Sequence, residues 1–138
     1  MSTPGVVEGT SRAVAAELVV RSVSAGDGRS RARAVTELTL DPAELVFQGH
    51  YPGFPIFPGV CLIECAHRSA VAAFGDHLGA GQLAAVESAR FTGPAYPGDV
   101  LTFEAELRGG DDWQVRVTAR TPRGESARIR LRYPGGTP

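Results

Sequence analysis

His50 and Glu64 are the residues of this sequence whose types and spacing best support chemistry, an imidazole and a carboxyl standing 14 positions apart (64 minus 50). Between them run prolines at 52, 55 and 58, each of which fixes its own φ and biases the residue before it toward extended backbone. The loop from Phe47 to Pro58 is therefore ordered before any ligand arrives. A neutral imidazole can take a proton from the carbon beside a carbonyl, and a protonated carboxyl can give one to a departing hydroxyl. Pro58 suits the first helical position, where a missing N–H costs nothing, and it leaves the N–H groups of Gly59 and Val60 at the positive end of the helix that follows. Gly59 has no side chain, so a thioester carbonyl can approach its amide closely and be polarised there, which acidifies the neighbouring carbon. Phe54 and Phe57 flank this point and read either as core or as lining for an apolar substrate.

The elements that must position these groups follow from hydrophobic periodicity. From Pro58 to about Leu78 the pattern is helical, apolar on more than one face and closed by Gly75 or Gly79, so this helix belongs in an interior. Its strongly polar early residues, Glu64, His67, Arg68 and Ser69, must each find a partner. His67 reads as a satisfied structural histidine, and His77 as a partner of the last helical carbonyls. Before the helix, Ala15 to Val23 and Arg31 to Leu40 read as a hairpin about Ala25-Gly26-Asp27-Gly28. After it, Gln82 to Thr92 reads as a strand. Val100–Leu107, Trp113–Ala119 and the strand ending at Tyr133 then alternate cleanly, with Leu101, Phe103, Val115, Val117, Ile129 and Leu131 on the buried side. The sum is an α+β domain over residues 13–134, in which one antiparallel sheet curls around one long helix, with tails at 1–12 and 135–138. A single helix leaves sheet surface and edges uncovered, so a second copy of the chain is expected against it.

Composition bounds the alternatives. The chain has 138 residues, 43% hydrophobic and 21% charged, with a formal net charge of −1, which is the balance of one globular domain and gives no sign of nucleic-acid binding. All 14 basic residues are arginine, so lysine Schiff-base chemistry is excluded. The outward stripe of Arg128, Arg130 and Arg132, with Arg116 and Arg120 nearby, reads as a solvated sheet face paired across strands with Glu104 and Glu106, the alternative being a surface that attracts an acidic partner protein. Cys61 and Cys65, four apart on the helix, read as reduced small hydrophobes and not as a disulfide or a metal pair. No metal or other cofactor is expected. Without an apolar run near the roughly 20 residues of a membrane span, and without a signal-peptide pattern, a cytoplasmic location is expected with no membrane partner.

Gly49-His50-Tyr51-Pro52, Pro55-Ile56-Phe57-Pro58-Gly59-Val60 and Leu62-Ile63-Glu64 together resemble the signature of the hot-dog-fold 3-hydroxyacyl-[acyl-carrier-protein] dehydratases of the FabZ type. Downstream, Ala89-Arg90-Phe91 and Pro94 to Asp99 are similar to that family's second motif, and the likeness spans about residues 37–107. The resemblance implies a hot-dog dimer that removes water from a 3-hydroxyacyl thioester to give the trans-2-enoyl product, its substrate linked through phosphopantetheine to acyl carrier protein. It implies that His50 abstracts the α-proton, that Glu64 protonates the leaving hydroxyl and that the Gly59 amide holds the carbonyl. Val60, Phe54, Phe57 and Arg68 would stand around the substrate. Each site would be shared between two chains, in a homodimer or in a heterodimer. Glutamate at position 64, where related dehydratase-isomerases carry aspartate, points to dehydration alone.

Two departures accompany the likeness. Residues 15–23 lack the N-terminal segment of the housekeeping members, which points to polyketide or specialised fatty-acyl synthesis. The family's glutamine four residues beyond the glutamate is Arg68 here, a cation which, if paired with Glu64, would stabilise the carboxylate and weaken it as an acid. The rival readings are a hot-dog acyl thioesterase and a non-catalytic acyl-binding subunit of a heterodimer.

Overall fold

The computed structural model describes residues 16–28, 30–43, 57–79 and 81–135. These form β1 (Leu18–Ala25), β2 (Ser30–Thr39), α1 (Gly59–Leu78), β3 (Ala85–Phe91), β4 (Val100–Arg108), β5 (Trp113–Thr121) and β6 (Gly124–Tyr133). The strands make one antiparallel sheet in the order β1-β2-β4-β5-β6-β3, with α1 across its inner face. This is the hot-dog arrangement that the sequence resemblance implies.

Period-2 alternation decides the inner face. Ala32, Ala34, Leu38, Leu101, Phe103, Leu107, Val115, Val117, Ile129 and Leu131 are all buried, and they meet Cys61, Leu62, Cys65, Ala66, Ala70 and Phe74 of α1. Both cysteines are reduced and buried among these residues. Clean alternation gave the strands β2, β4, β5 and β6 nearly to their ends. The first strand begins three residues later than Ala15 and runs to Ala25, and β3 occupies only the middle of the stretch from Gln82 to Thr92. Both are edge strands, exposed on nearly every residue, so they carry no inner row to mark their limits.

The helix is fixed on the sheet by polar bonds as well as by apolar packing. Ser69 and Thr36, both fully buried, share a hydroxyl hydrogen bond of 2.8 Å between α1 and β2. Gly79 ends α1 with φ of 64°, a left-handed conformation that glycine adopts without a Cβ penalty, and its N–H bonds to Gly75 O at 3.1 Å. His77, expected at the terminal carbonyls, instead stands edge-on to the Trp113 ring at 5.4 Å, because the end of α1 lies over the start of β5.

The entry to α1 is tied to the β3–β4 connection. Phe57 is buried, and its N–H bonds to Ala95 O at 2.8 Å. In that connection Asp99 accepts from the Tyr96 N–H at 2.8 Å and from both terminal nitrogens of Arg123, whose guanidinium lies 4.7 Å from the centre of the Tyr96 ring. The Arg123 bonds, with the Tyr96 N–H adding to them, hold the Asp99 carboxyl below the ordinary carboxylate range.

On the outer face the expected pairing forms in part, Arg120 with Glu104 across strands, while the β6 arginines pair otherwise. Glu104 is held by Arg120, and Glu106 by Arg33 and Arg108, while Arg128 pairs with Glu125 and Arg132 with Glu87 and Asp112. The β6 stripe thus uses acids beside and beyond it, since Thr118 and Arg116 of β5 intervene between β6 and the two β4 glutamates. A trough of about 910 Å³ runs across this face, lined by Arg33, Glu104, Glu106, Arg116 and Arg130 among others. No helix among the described residues is long and apolar enough to cross a membrane.

Candidate active site

Pro58 sets the start of the helix. Its backbone is extended (φ −65°, ψ 147°), so it is the cap and Gly59 is the first helical residue, one position later than the sequence suggested. The Pro58 carbonyl accepts from the N–H groups of both Cys61 and Leu62, at 3.0 and 3.2 Å. Those of Gly59 and Val60 have no acceptor inside the helix, as the first turn requires, and make no backbone hydrogen bond among the described residues. They point the positive end of α1 at whatever occupies the space before it.

Gly59 has a second reason to be glycine. A Cβ there would fall 2.8 Å from Cζ of Phe91, so the end of β3 packs directly on the first turn of α1. Val60 is 71% exposed, and Phe57 belongs to the core at 3% exposure. His50 and Phe54 lie outside the described residues.

Glu64 follows about one and a half turns into α1, roughly 7–8 Å along the axis from Gly59. It is half-buried, and its Oε2 is fully covered with no hydrogen-bond partner among the described residues. The next three polar residues are each held by a different element. His67 Nδ1 lies 2.7 Å from the Tyr133 hydroxyl of β6, with the two rings stacked at 5.6 Å and 16°. Arg68 donates from Nη2 to Ala16 O, just before β1, at 2.8 Å. Ser69 bonds to Thr36 of β2. The i+4 spacing therefore does not make Arg68 the hydrogen-bond partner of Glu64 Oε2, and the guanidinium ties α1 to the edge of the sheet instead.

Electrostatics follow burial. Desolvation lowers the His67 pKa below the ordinary imidazole value, and the charge of Glu64 one turn away opposes this only in part. Burial pushes the Tyr133 phenol well above its ordinary value. Both groups are thus neutral near pH 7. Tyr133 ends the apolar row of the last strand, and the signal for its partnership was its hydroxyl, which must find a partner once buried. No three His, Cys, Asp or Glu side chains converge as a metal site needs among the described residues. The outer trough lies on the opposite side of the sheet from Glu64 and is no part of this arrangement.

A model of the ApeI-like family, described as ApeI dehydratase, matches residues 27–127. The chain belongs to this family. Among curated proteins, this ApeI-like chain is 43% identical over 95 residues to the 3-hydroxyacyl-[acyl-carrier-protein] dehydratase FabZ of Thermus thermophilus, a match covering 65% of each chain. The FabZ dehydratase of Symbiobacterium thermophilum is 43% identical over 94 residues, covering 65% of this chain and 64% of the relative. The chain thus spans just under two thirds of the length of these relatives. In fold it is similar to the dehydratase heterocomplex ApeI:P from Xenorhabdus doucetiae (TM-score 0.58, 18% identity, 86% of this chain and 99% of that one). It is also similar to the E. coli PaaI protein (TM-score 0.64, 18% identity, 86% and 82%).

Proposed function

We propose that this ApeI-like chain dehydrates a 3-hydroxyacyl thioester carried on acyl carrier protein to the trans-2-enoyl thioester. The observation that carries the reading is the covered Oε2 of Glu64, without a hydrogen-bond partner among the described residues, on a helix whose first two amides make no backbone hydrogen bond among them. A polar atom buried without a partner costs about 1–3 kcal/mol, and a site that binds a hydroxyl offsets this cost only when substrate is present. The FabZ relatives support the substrate class.

In this reading the thioester oxygen accepts from the Gly59 amide, aided by the helix dipole, and the α-carbon becomes acidic. His50 takes the α-proton, the electron pair forms the double bond, and the β-carbon–oxygen bond breaks as Glu64 gives its proton to the departing hydroxyl. Enoyl thioester and water result, and His50 returns a proton to Glu64 to close the cycle. The holding of Arg68 by Ala16 O supports Glu64 as an acid, because a paired guanidinium would favour the carboxylate. The carbonyl site lies at the exposed first turn of α1, beside Phe91 at the end of edge strand β3, so we infer a dimer formed along β3. In it His50 and Glu64 of each site come from different chains.

Intact mass of a 3-hydroxyacyl carrier protein of several chain lengths tests this reading. Loss of one water is expected, and it should vanish in His50→Ala and Glu64→Gln. Loss of the whole acyl group would show a thioesterase, and no change at any chain length would show a binder.

A further inference from the structure

Both ends of the chain segment that carries His50 are bonded to one short turn, Ala95 to Asp99. At the start of the segment, Leu40 donates its N–H to Asp99 O at 2.8 Å and accepts from the Gly98 N–H. At its end, Phe57 donates to Ala95 O at 2.8 Å. Pro58 and Gly59 follow directly, so the same bond sets the entry to α1 and the amides that open it. The turn is a common base for the His50 segment and for the carbonyl site.

One buried side chain gives that turn its shape. Asp99 Oδ2 accepts from the Tyr96 N–H at 2.8 Å while the Asp99 N–H donates to Tyr96 O at 3.1 Å, which closes the turn on itself. Arg123, in the tip between β5 and β6, then donates to both carboxylate oxygens, and its guanidinium lies 4.7 Å from the centre of the Tyr96 ring. A guanidinium on both oxygens of a carboxylate fixes orientation as well as distance. The β5–β6 tip thereby braces the turn. The links run from Arg123 through Asp99 to Tyr96 and Ala95, and from Ala95 to Phe57 and the start of α1, each one a hydrogen bond or a step along the chain.

We propose that Asp99 and Arg123 are positioning residues for the reaction: their ion pair holds the turn in the shape that sets Phe57, and through it the Gly59 amide, in the place where the thioester carbonyl is received. Neither residue exchanges a proton with substrate in this arrangement. The proposal rests on the dehydration reading for its effect on rate, whereas the bracing of Phe57 is a property of the protein without substrate. Misplacing a reacting group by about 1 Å can cost about a hundredfold in rate, so a loosened turn should cost about tenfold.

Two readouts separate the proposal from a purely structural role. Arg123 is half exposed, so Arg123→Gln breaks the pair with the fold kept, and Asp99→Asn removes the charge from the other side. In steady-state dehydration well below the melting temperature of each variant, kcat should fall about tenfold with KM within about twofold, the mark of an interaction that matters in the transition state. The double variant should lose no more than either single one, because both remove the same interaction. Hydrogen exchange on the protein without substrate should show the Phe57 amide exchanging at least about tenfold faster in each variant, with Val117 in the middle of β5 unchanged. A pair with only a structural role would lower the melting temperature and leave kcat of the folded variants at the wild-type level, and that result would overturn the proposal. So would a Phe57 amide as protected in Arg123→Gln as in wild type, or losses that multiply in the double variant. Failure of the dehydration reading would show separately, as a wild-type protein that forms no enoyl product.

Discussion

Four polar side chains interrupt the apolar surface of α1 ahead of its last turn, and their fates differ in a way that defines the site. His67, Arg68 and Ser69 reach β6, the segment before β1, and β2, while Glu64 keeps a covered oxygen without a partner among the described residues. Sequence alone shows that each needs a partner, and His67 is satisfied in place, as its position on the helix suggests. Sequence could not show that the partners lay 66, 52 and 33 positions away, because helical spacing gives neighbours on one element and says nothing of competitors on others. The i+4 relation of Arg68 to Glu64 was such a local candidate, and a backbone carbonyl outcompeted it. Gly59 permits a sharper test at this scale. Gly59→Ala places a methyl 2.8 Å from the far end of the Phe91 ring, which is half exposed and can turn aside. Alanine gains up to about 1 kcal/mol over glycine in a helix, which offsets much of the crowding. Stability by thermal melt should therefore change by less than about 1 kcal/mol. Enoyl formation should fall at least about tenfold, because the methyl obstructs the approach to the amide. A variant with wild-type kcat/KM would remove the Gly59 amide from the mechanism.

At the level of elements, the alternating strands were legible because one face of each is dry and the other wet, and the helix because its apolar surface is wide. The edge strands and the tie between the β3–β4 connection and the helix entry were not legible, since exposure erases alternation and a clamp across loops leaves no period. Asp99 organises that clamp: it caps the Tyr96 N–H and holds Arg123, while its backbone carbonyl accepts from Leu40 at 2.8 Å and nearby Ala95 accepts from Phe57. Its folded pKa lies below the unfolded value, chiefly through the Arg123 bonds, so the unfolded chain binds a proton more readily as pH falls. The stabilisation is complete above the ordinary aspartate pKa of about 4 and is lost as pH falls through the depressed folded value. Asp99→Asn should cost about 1–2 kcal/mol at pH 7, less than a fully buried pair because Arg123 is half exposed. Urea titrations of both proteins from pH 7 to pH 3 should show the gap closing below about pH 4; a gap independent of pH would mean that the carboxylate charge contributes nothing.

Among the described residues the sheet ends in two edges without a further strand, β1 and β3, and they are not equivalent. β1 is offset by a bulge between Val20 and Ser22 and is flanked by the Arg68–Ala16 tie, whereas β3 runs to Phe91, whose ring sits on the first turn of α1. Val86 and Phe91 are 42% and 48% exposed, apolar side chains that an edge-to-edge partner would cover. Pairing two copies of β3 about a two-fold axis would bring each helix entry to the boundary between chains, where the proposed site shared by His50 of one chain and Glu64 of the other would lie. Such sharing has a consequence that no single-chain site can imitate. Co-expressed in equal amounts, His50→Ala and Glu64→Gln chains form mixed dimers as half of the population, and each mixed dimer rebuilds one intact site of its two. Dehydration should then return to about a quarter of the wild-type rate per chain, although either variant alone is inactive. Sites built within one chain would leave the mixture as inactive as its parts, and that result would exclude the shared arrangement.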